Sequence, residues 1–247
     1  SLDAHELAAG SRLKEGDYVG AEYQLAKLLE LTGPDQAPGW QLVTSLLAPV
    51  NDRERAAKVL DRLVSRFAAE SNVEALFATS QLSAMHGDLT KATNLIDQAI
   101  VFEPERAELL AWAGRLAVNT ANESLALKRY RQAWQIEPEN PKVAMSYAQL
   151  LKRNGDLKTA QSVLAQLPDR PDMRFSRLVF TLDAGDMEAA EALYRGFFDV
   201  QYEDVSEAAF QAAQAAELLE RPREAINWYS KVTGKRSLRA LMRRAFL

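Results

Sequence analysis

Residues 73–106 read VEALFATSQLSAMHGDLTKATNLIDQAIVFEPER, and residues 107–140 read AELLAWAGRLAVNTANESLALKRYRQAWQIEPEN. The two segments align without a gap, so the sequence repeats with a period of 34 residues. Periods of this order are typical of repeat proteins. Working outward from these two copies predicts a single repeat domain over residues 1–247. Its units span approximately 2–35, 37–70, 73–106, 107–140, 141–168, 171–198 and 206–233, with residues 236–247 as the first helix of an incomplete eighth unit.

Each of the seven units has an alanine at one fixed position in its second half. These residues are Ala21, Ala56, Ala92, Ala126, Ala160, Ala190 and Ala225. Twelve positions earlier come Ala9, Thr44, Ser80, Gly114, Ala148, Leu178 and Ala213, and all but the leucine are small. Four positions after the alanine come Leu25, Leu60, Ile96, Tyr130, Leu164, Tyr194 and Tyr229. Recurring small residues indicate helices that approach too closely for larger side chains, and the large residues one turn later are predicted to fill the core.

A short polar turn divides most of the units into two halves. The turns are Gly16-Asp17, Asn51-Asp52, Gly87-Asp88, Ala121-Asn122, Gly155-Asp156 and Gly185-Asp186. Glycine can adopt the left-handed conformation that ends a helix, and a following Asp or Asn can cap the next helix. Glycine and proline are otherwise sparse, at 11 and 9 residues, which disfavours a turn-rich β fold. The sequence therefore predicts an all-α chain of helical hairpins.

These features resemble the tetratricopeptide repeat, and the resemblance covers nearly the whole chain. Trp40 occupies the family's aromatic position in the second unit, and Trp112-Ala113-Gly114 lies close to its W-x-x-L-G signature without matching it strictly. The resemblance implies an α-α solenoid, a right-handed superhelix of about seven hairpins plus the truncated final helix. First helices would line its concave face. It also implies a non-enzymatic scaffold that binds a peptide or a partner protein on that face.

The family's ligand-contacting columns, projected onto this chain, give a candidate partner-binding surface. It consists of Phe77, Gln81, Arg115, Met145, Gln149, Phe175, Phe210 and Gln214. In three places an apolar residue stands four positions before a glutamine, so the two side chains share a helix face. A primary amide can both donate to and accept from the backbone of a bound peptide. The alternative is that the aromatic residues pack between repeats, as aromatic stripes at helical spacing usually do.

Composition argues against an enzyme and against a resident cofactor. The chain has no cysteine and only two histidines, so thiolate metal sites, cysteine nucleophiles and Ser/His/Asp relays have almost nothing to draw on. We expect no catalytic residues, no metal and no cofactor. The net charge of −4 and the absence of an aromatic-interleaved basic groove also disfavour nucleic acid as a partner.

The C-terminal segment differs in charge from the rest of the chain. Residues 221–247 contain eight Lys or Arg and one acid, whereas residues 1–220 carry a net charge of −11. Over residues 236–247 the apolar residues recur at the spacing of an amphipathic helix, with basic residues between them. We interpret this helix as a truncated repeat, and a helix that binds a membrane surface or a partner is the alternative.

Residues 221–234, RPREAINWYSKVTG, resemble a unit of large tetratricopeptide lipoproteins of the Gram-negative outer membrane. That resemblance implies a periplasmic adaptor linking a carboxyl-terminal processing protease to cell-wall hydrolases, with membrane attachment only through a lipid anchor outside this chain. A cytoplasmic location is the alternative. The alternative function is a structural or oligomer-forming element of an envelope or secretion complex, assembled by head-to-tail stacking.

Overall fold

A computed structural model of the chain describes residues 1–67 and 72–247, which form two compact units, Ser1–Ile136 and Glu137–Leu247. The helices of the first unit are α1 (Leu2–Glu15), α2 (Tyr18–Thr32), α3 (Ala37–Leu47), α4 (Arg53–Phe67), α5 (Val73–Met85), α6 (Leu89–Phe102), α7 (Ala107–Asn119) and α8 (Glu123–Ile136). The predicted end of the second repeat, at residue 70, lies outside the described residues. Odd-numbered helices correspond to the first helices of the predicted repeats.

The second unit continues the same pattern. Its helices are α9 (Pro141–Arg153), α10 (Leu157–Ala165), α11 (Pro171–Asp183), α12 (Met187–Asp199), α13 (Val205–Leu218), α14 (Pro222–Ser230), a 3-10 turn (Gly234–Arg236) and α15 (Ser237–Phe246). In this unit α11 packs against both α12 and α13, and α14 packs against α13 and α15. Each first helix therefore touches its own partner, and successive first helices can be neighbours.

Across the described part of the chain every regular element is a helix, and consecutive helices pack as pairs in each unit. The predicted all-α fold of helical hairpins is confirmed. The division into repeats and the single uninterrupted solenoid remain predictions. No helix within 1–67 or 72–247 combines the length and the apolar character that crossing a bilayer requires.

The small-residue columns lie where the helices of a pair approach each other. All seven alanines of the fixed column are fully buried, and the large residues four positions later are buried with them, as predicted. Gly114 shows how close the approach is, because a Cβ atom there would lie 2.9 Å from the ring of Tyr130. The absence of a side chain at residue 114 therefore allows the close approach of α7 and α8.

The predicted turn chemistry is also present. Gly16 ends α1 in the left-handed conformation with φ of 77°, and Asp17 then accepts a hydrogen bond from the Gly20 N–H to cap α2. Ala121 takes the same left-handed conformation between α7 and α8, with φ of 57°, although it is not a glycine. Local residue choice thus fixes where one helix ends and the next begins.

Candidate partner-binding site

Phe77, predicted to contact a ligand, is part of the interior of the first unit. It is 6% exposed, and its ring meets Trp112 edge to face at a centroid distance of 6.3 Å. The Arg106 guanidinium lies 5.9 Å from the centroid of the Phe77 ring, and it forms an ion pair with Glu74. Because neighbouring helices cover Phe77, it contributes packing and leaves almost no surface for a partner.

Around Phe77 a buried chain of hydrogen bonds links α5, α6 and α7. The Trp112 indole N–H donates to the Ser80 hydroxyl at 2.8 Å, and that hydroxyl donates to the Ala92 carbonyl at 2.7 Å. Ser80 is fully buried. Arg115 is exposed and lies 4.4 Å above the Trp112 ring, while Gln81 is half-buried. Of the predicted residues in this unit, Arg115 and Gln81 therefore reach the surface.

Phe210 is likewise interior, in the second unit. It is 2% exposed and packs edge to face on Tyr229 at a centroid distance of 5.8 Å. The guanidinium groups of Arg236 and Arg239 lie 4.8 Å and 5.5 Å from its centroid. Other residues of this chain thus cover almost the whole side chain, and the packing interpretation describes Phe210 better than the ligand-contact interpretation.

Two other predicted residues come together at a groove of about 240 Å³ in the second unit. These are Phe175 on α11 and Gln214 on α13, both half-buried. The groove, called here the Phe175 groove, is lined by Phe175, Gln214, Glu217, Leu218, Tyr229, Arg239 and Arg243. It lies on the first helices α11, α13 and α15, with Tyr229 contributed by α14. Met145, half-buried, and Gln149, exposed, lie on α9 and do not line it.

The charges of the Phe175 groove are unequally neutralised. Glu217 accepts a hydrogen bond from the Tyr229 hydroxyl and pairs with Arg243. Burial raises the pKa of Tyr229, which keeps that hydroxyl protonated as the donor. Among the described residues, no carboxylate pairs with Arg239. The groove therefore presents an apolar wall, an amide and an unneutralised guanidinium, a combination that suits an apolar side chain beside a carboxylate or a backbone carbonyl.

Comparison with known families gives one match, over a central part of the chain. Residues 124–178 match the tetratricopeptide repeat family. This match spans the end of the first unit and the start of the second, including α9, α10 and part of α11. It supports the tetratricopeptide-repeat assignment that the 34-residue period predicts. None of the curated proteins matches the sequence.

Two solved structures with TM-scores above 0.5 share the fold at low sequence identity, and a third is similar with a lower score. The structure of Pseudomonas aeruginosa pilF matches with a TM-score of 0.53 at 15% identity, and the match covers 85% of this chain and 96% of that one. The structure of PilW, described as a widely conserved type IV pilus biogenesis factor, has a TM-score of 0.53 at 14% identity, covering 79% and 91%. A tetratricopeptide repeat protein from Parabacteroides merdae gives 0.49 at 16% identity, covering 100% and 99%.

Several residues of the Phe175 groove were not predicted from the tetratricopeptide columns. Glu217 and Leu218 lie one turn beyond Gln214, and Arg239 and Arg243 come from α15. The sequence did carry a signal for the arginines, namely the basic amphipathic pattern of residues 236–247. Because that pattern also fits an unfinished repeat, the sequence alone does not connect it to the binding columns.

Proposed function

We propose that the chain is a non-enzymatic scaffold that holds a peptide segment of a partner protein in the Phe175 groove. The tetratricopeptide-repeat match supports the class of function, because such repeats present first-helix surfaces to protein ligands. The observation that carries the proposal is the meeting of Phe175 and Gln214, both taken from the family's ligand-contacting columns, in one groove with Arg239. The segment bound there has an apolar side chain and an acidic group close to it.

The test begins with peptides selected by display against the purified 247-residue chain. The affinity of a selected peptide is then measured by fluorescence anisotropy for wild type, Phe175→Ala and Arg239→Gln. We expect Phe175→Ala to weaken binding about tenfold, since buried aromatic contacts typically carry over 1 kcal/mol each. Arg239→Gln should weaken binding and reduce its salt dependence. Thermal unfolding of both variants checks that the fold persists.

Met187→Ala provides the matched control. Met187 is an exposed apolar residue at the start of α12, the second helix of the pair that contains Phe175. We expect this variant to bind the selected peptide as wild type does. Equal affinity of all four proteins would show that the peptide binds elsewhere and would contradict the proposal.

A finer version of the proposal is an adaptor at the periplasmic face of the outer membrane. There the chain would link a carboxyl-terminal processing protease to cell-wall hydrolases. It is supported only by the resemblance of residues 221–234 to a lipoprotein repeat. Pull-down with purified protease and hydrolase of the source organism tests it, using Phe175→Ala as the negative control. Retention of both enzymes by wild type alone is expected, and retention of neither would contradict the adaptor role.

The alternative, an oligomer-forming element, has its own supporting observation. Helix α15 leaves Leu238, Leu241 and Phe246 exposed, at 68%, 60% and 81%. An apolar helix face of this kind is often covered by another protein surface. Light scattering over a concentration series distinguishes the two functions: growth of the particle with concentration supports assembly, and a constant monomer mass supports the scaffold.

A further inference from the structure

A second and larger cavity, of about 650 Å³, lies at a different edge of the Glu137–Leu247 unit. It is formed by the residues just before α11 and the start of that helix, the segment that joins α12 to α13, the first two turns of α13, and Arg236 at the end of the 3-10 turn. Its lining contains five carboxylates and two guanidinium groups. We call it the acidic cavity. It shares no lining residue with the Phe175 groove, so the inference below is independent of the proposed function.

Gln211, which lines the acidic cavity, carries an unsatisfied hydrogen-bond acceptor. Its side chain is 8% exposed, and its Nε2 donates to Glu207 Oε1 at 2.7 Å. A carboxylate only accepts, so this contact fixes the amide orientation and leaves Oε1 as the other group. Within the described residues, Gln211 Oε1 has no hydrogen-bond partner. An acceptor buried in this way favours a ligand that supplies an N–H or O–H donor.

The carboxylates around the cavity are only partly neutralised by this chain. Asp169, Asp172 and Glu207 each pair with an arginine. Glu203 is exposed, and the described residues supply no cation to it. Asp204 caps α13 by accepting the Glu207 N–H at 2.8 Å through one oxygen, which leaves its second oxygen available. The cavity thus combines a partly neutralised rim with a lining residue, Gln211, whose buried amide oxygen has no partner among the described residues.

We propose that the acidic cavity receives an arginine side chain of a partner protein. A guanidinium has five N–H donors in a planar fork, so it can donate to an amide oxygen and to carboxylates at the same time. A bare metal ion fits less well, because no three carboxylate or histidine side chains in the described part of the chain cluster closely enough to hold one. The volume accommodates a whole side chain. The positive charge is attracted by Glu203 and Asp204.

The test is a titration of the ¹⁵N-labelled full chain, followed by NMR, with the capped peptide Ac-Gly-Arg-Gly-NH₂. Its partner probe replaces arginine by citrulline, which has nearly the same shape but no charge. We expect saturable shifts concentrated in the backbone amides of residues 169–172 and 201–211, with citrulline binding about tenfold weaker. Equal binding of the two peptides, or shifts that neither saturate nor concentrate at these residues, would overturn the proposal.

Two variants and a control separate this site from general attraction between charges. Gln211→Met removes the acceptor at similar length, and Glu203→Gln removes a rim charge. Each should weaken arginine-peptide binding several-fold, whereas Glu188→Gln, an exposed position on α12, should not change it. Unchanged amide shifts far from the cavity verify the fold of each variant. If Glu188→Gln weakens binding as much as Glu203→Gln does, the attraction is non-specific and the proposed site is wrong.

Discussion

Gly114 and Gly10 offer one substitution with opposite expected effects on stability. Both glycines lie inside first helices of the Ser1–Ile136 unit, in α7 and α1. A Cβ at Gly114 would lie 2.9, 3.0 and 3.1 Å from three ring atoms of Tyr130. At Gly10 the nearest atom would be a Leu46 methyl carbon at 3.6 Å, which is ordinary contact.

The expected magnitudes follow from these distances. Carbon atoms pack best at about 3.5–4.0 Å, so alanine at position 114 must push the buried Tyr130 ring by roughly 0.5–1 Å. Overpacking of this kind costs about 1–3 kcal/mol. Replacing a helix-interior glycine by alanine recovers about 0.5–1 kcal/mol. We therefore expect Gly114→Ala to lower the free energy of unfolding by up to about 2.5 kcal/mol, and Gly10→Ala to raise it by about 0.5–1 kcal/mol.

Urea unfolding followed by tryptophan fluorescence measures both variants. Three of the four tryptophans belong to the Ser1–Ile136 unit, so the signal reports mainly on that unit. Circular dichroism at 222 nm follows the whole chain in parallel. If Gly114→Ala is as stable as Gly10→Ala or more stable, the size of residue 114 does not limit the approach of α7 and α8, and our account of their packing is wrong.

Two further substitutions test the interior of the same unit. Ser80→Ala should lower the free energy of unfolding by about 1–3 kcal/mol, because the buried Trp112 N–H loses its acceptor. The control Ser65→Ala removes an exposed hydroxyl and should change the free energy of unfolding little. Similar losses in both variants would refute the prediction. Burial, together with the charge of Arg53, lowers the pKa of His86. The stability it contributes is complete above about pH 6.5 and is lost as the pH falls toward the folded pKa. We expect His86→Gln to flatten the fall in urea midpoint between pH 8 and 5.5, and an unchanged fall would contradict that assignment.

Much of the fold was predictable because its determinants are local or periodic. Ala21 and its six equivalents mark the close approach of paired helices, and the structure buries all of them. The turn at Gly16-Asp17 specifies the end of one helix and the cap of the next within two residues. Such features depend on residues that are close in the sequence, and a 34-residue period displays them repeatedly.

The candidate site was less predictable, because exposure depends on other helices. Phe77 and Phe210 each stand four residues before a glutamine, and this spacing is the same whether the phenylalanine is buried or exposed. Their burial comes from Trp112, in the next repeat, and from Tyr229 with the arginines of the C-terminal segment. The acidic cavity had no periodic signal, since irregular connections between helices form much of it.

Photo-crosslinking to a bound peptide tests the central claim, that the Phe175 groove is the partner-binding site. A photoreactive phenylalanine analogue is placed at position 175, at position 214 or, as a control on α12, at position 187. The display-selected peptide is added to each protein, and mass spectrometry identifies the crosslinked residues. Our account predicts crosslinks from positions 175 and 214 to adjacent residues of the peptide, and none from position 187. A peptide that binds but crosslinks only from position 187 would contradict it.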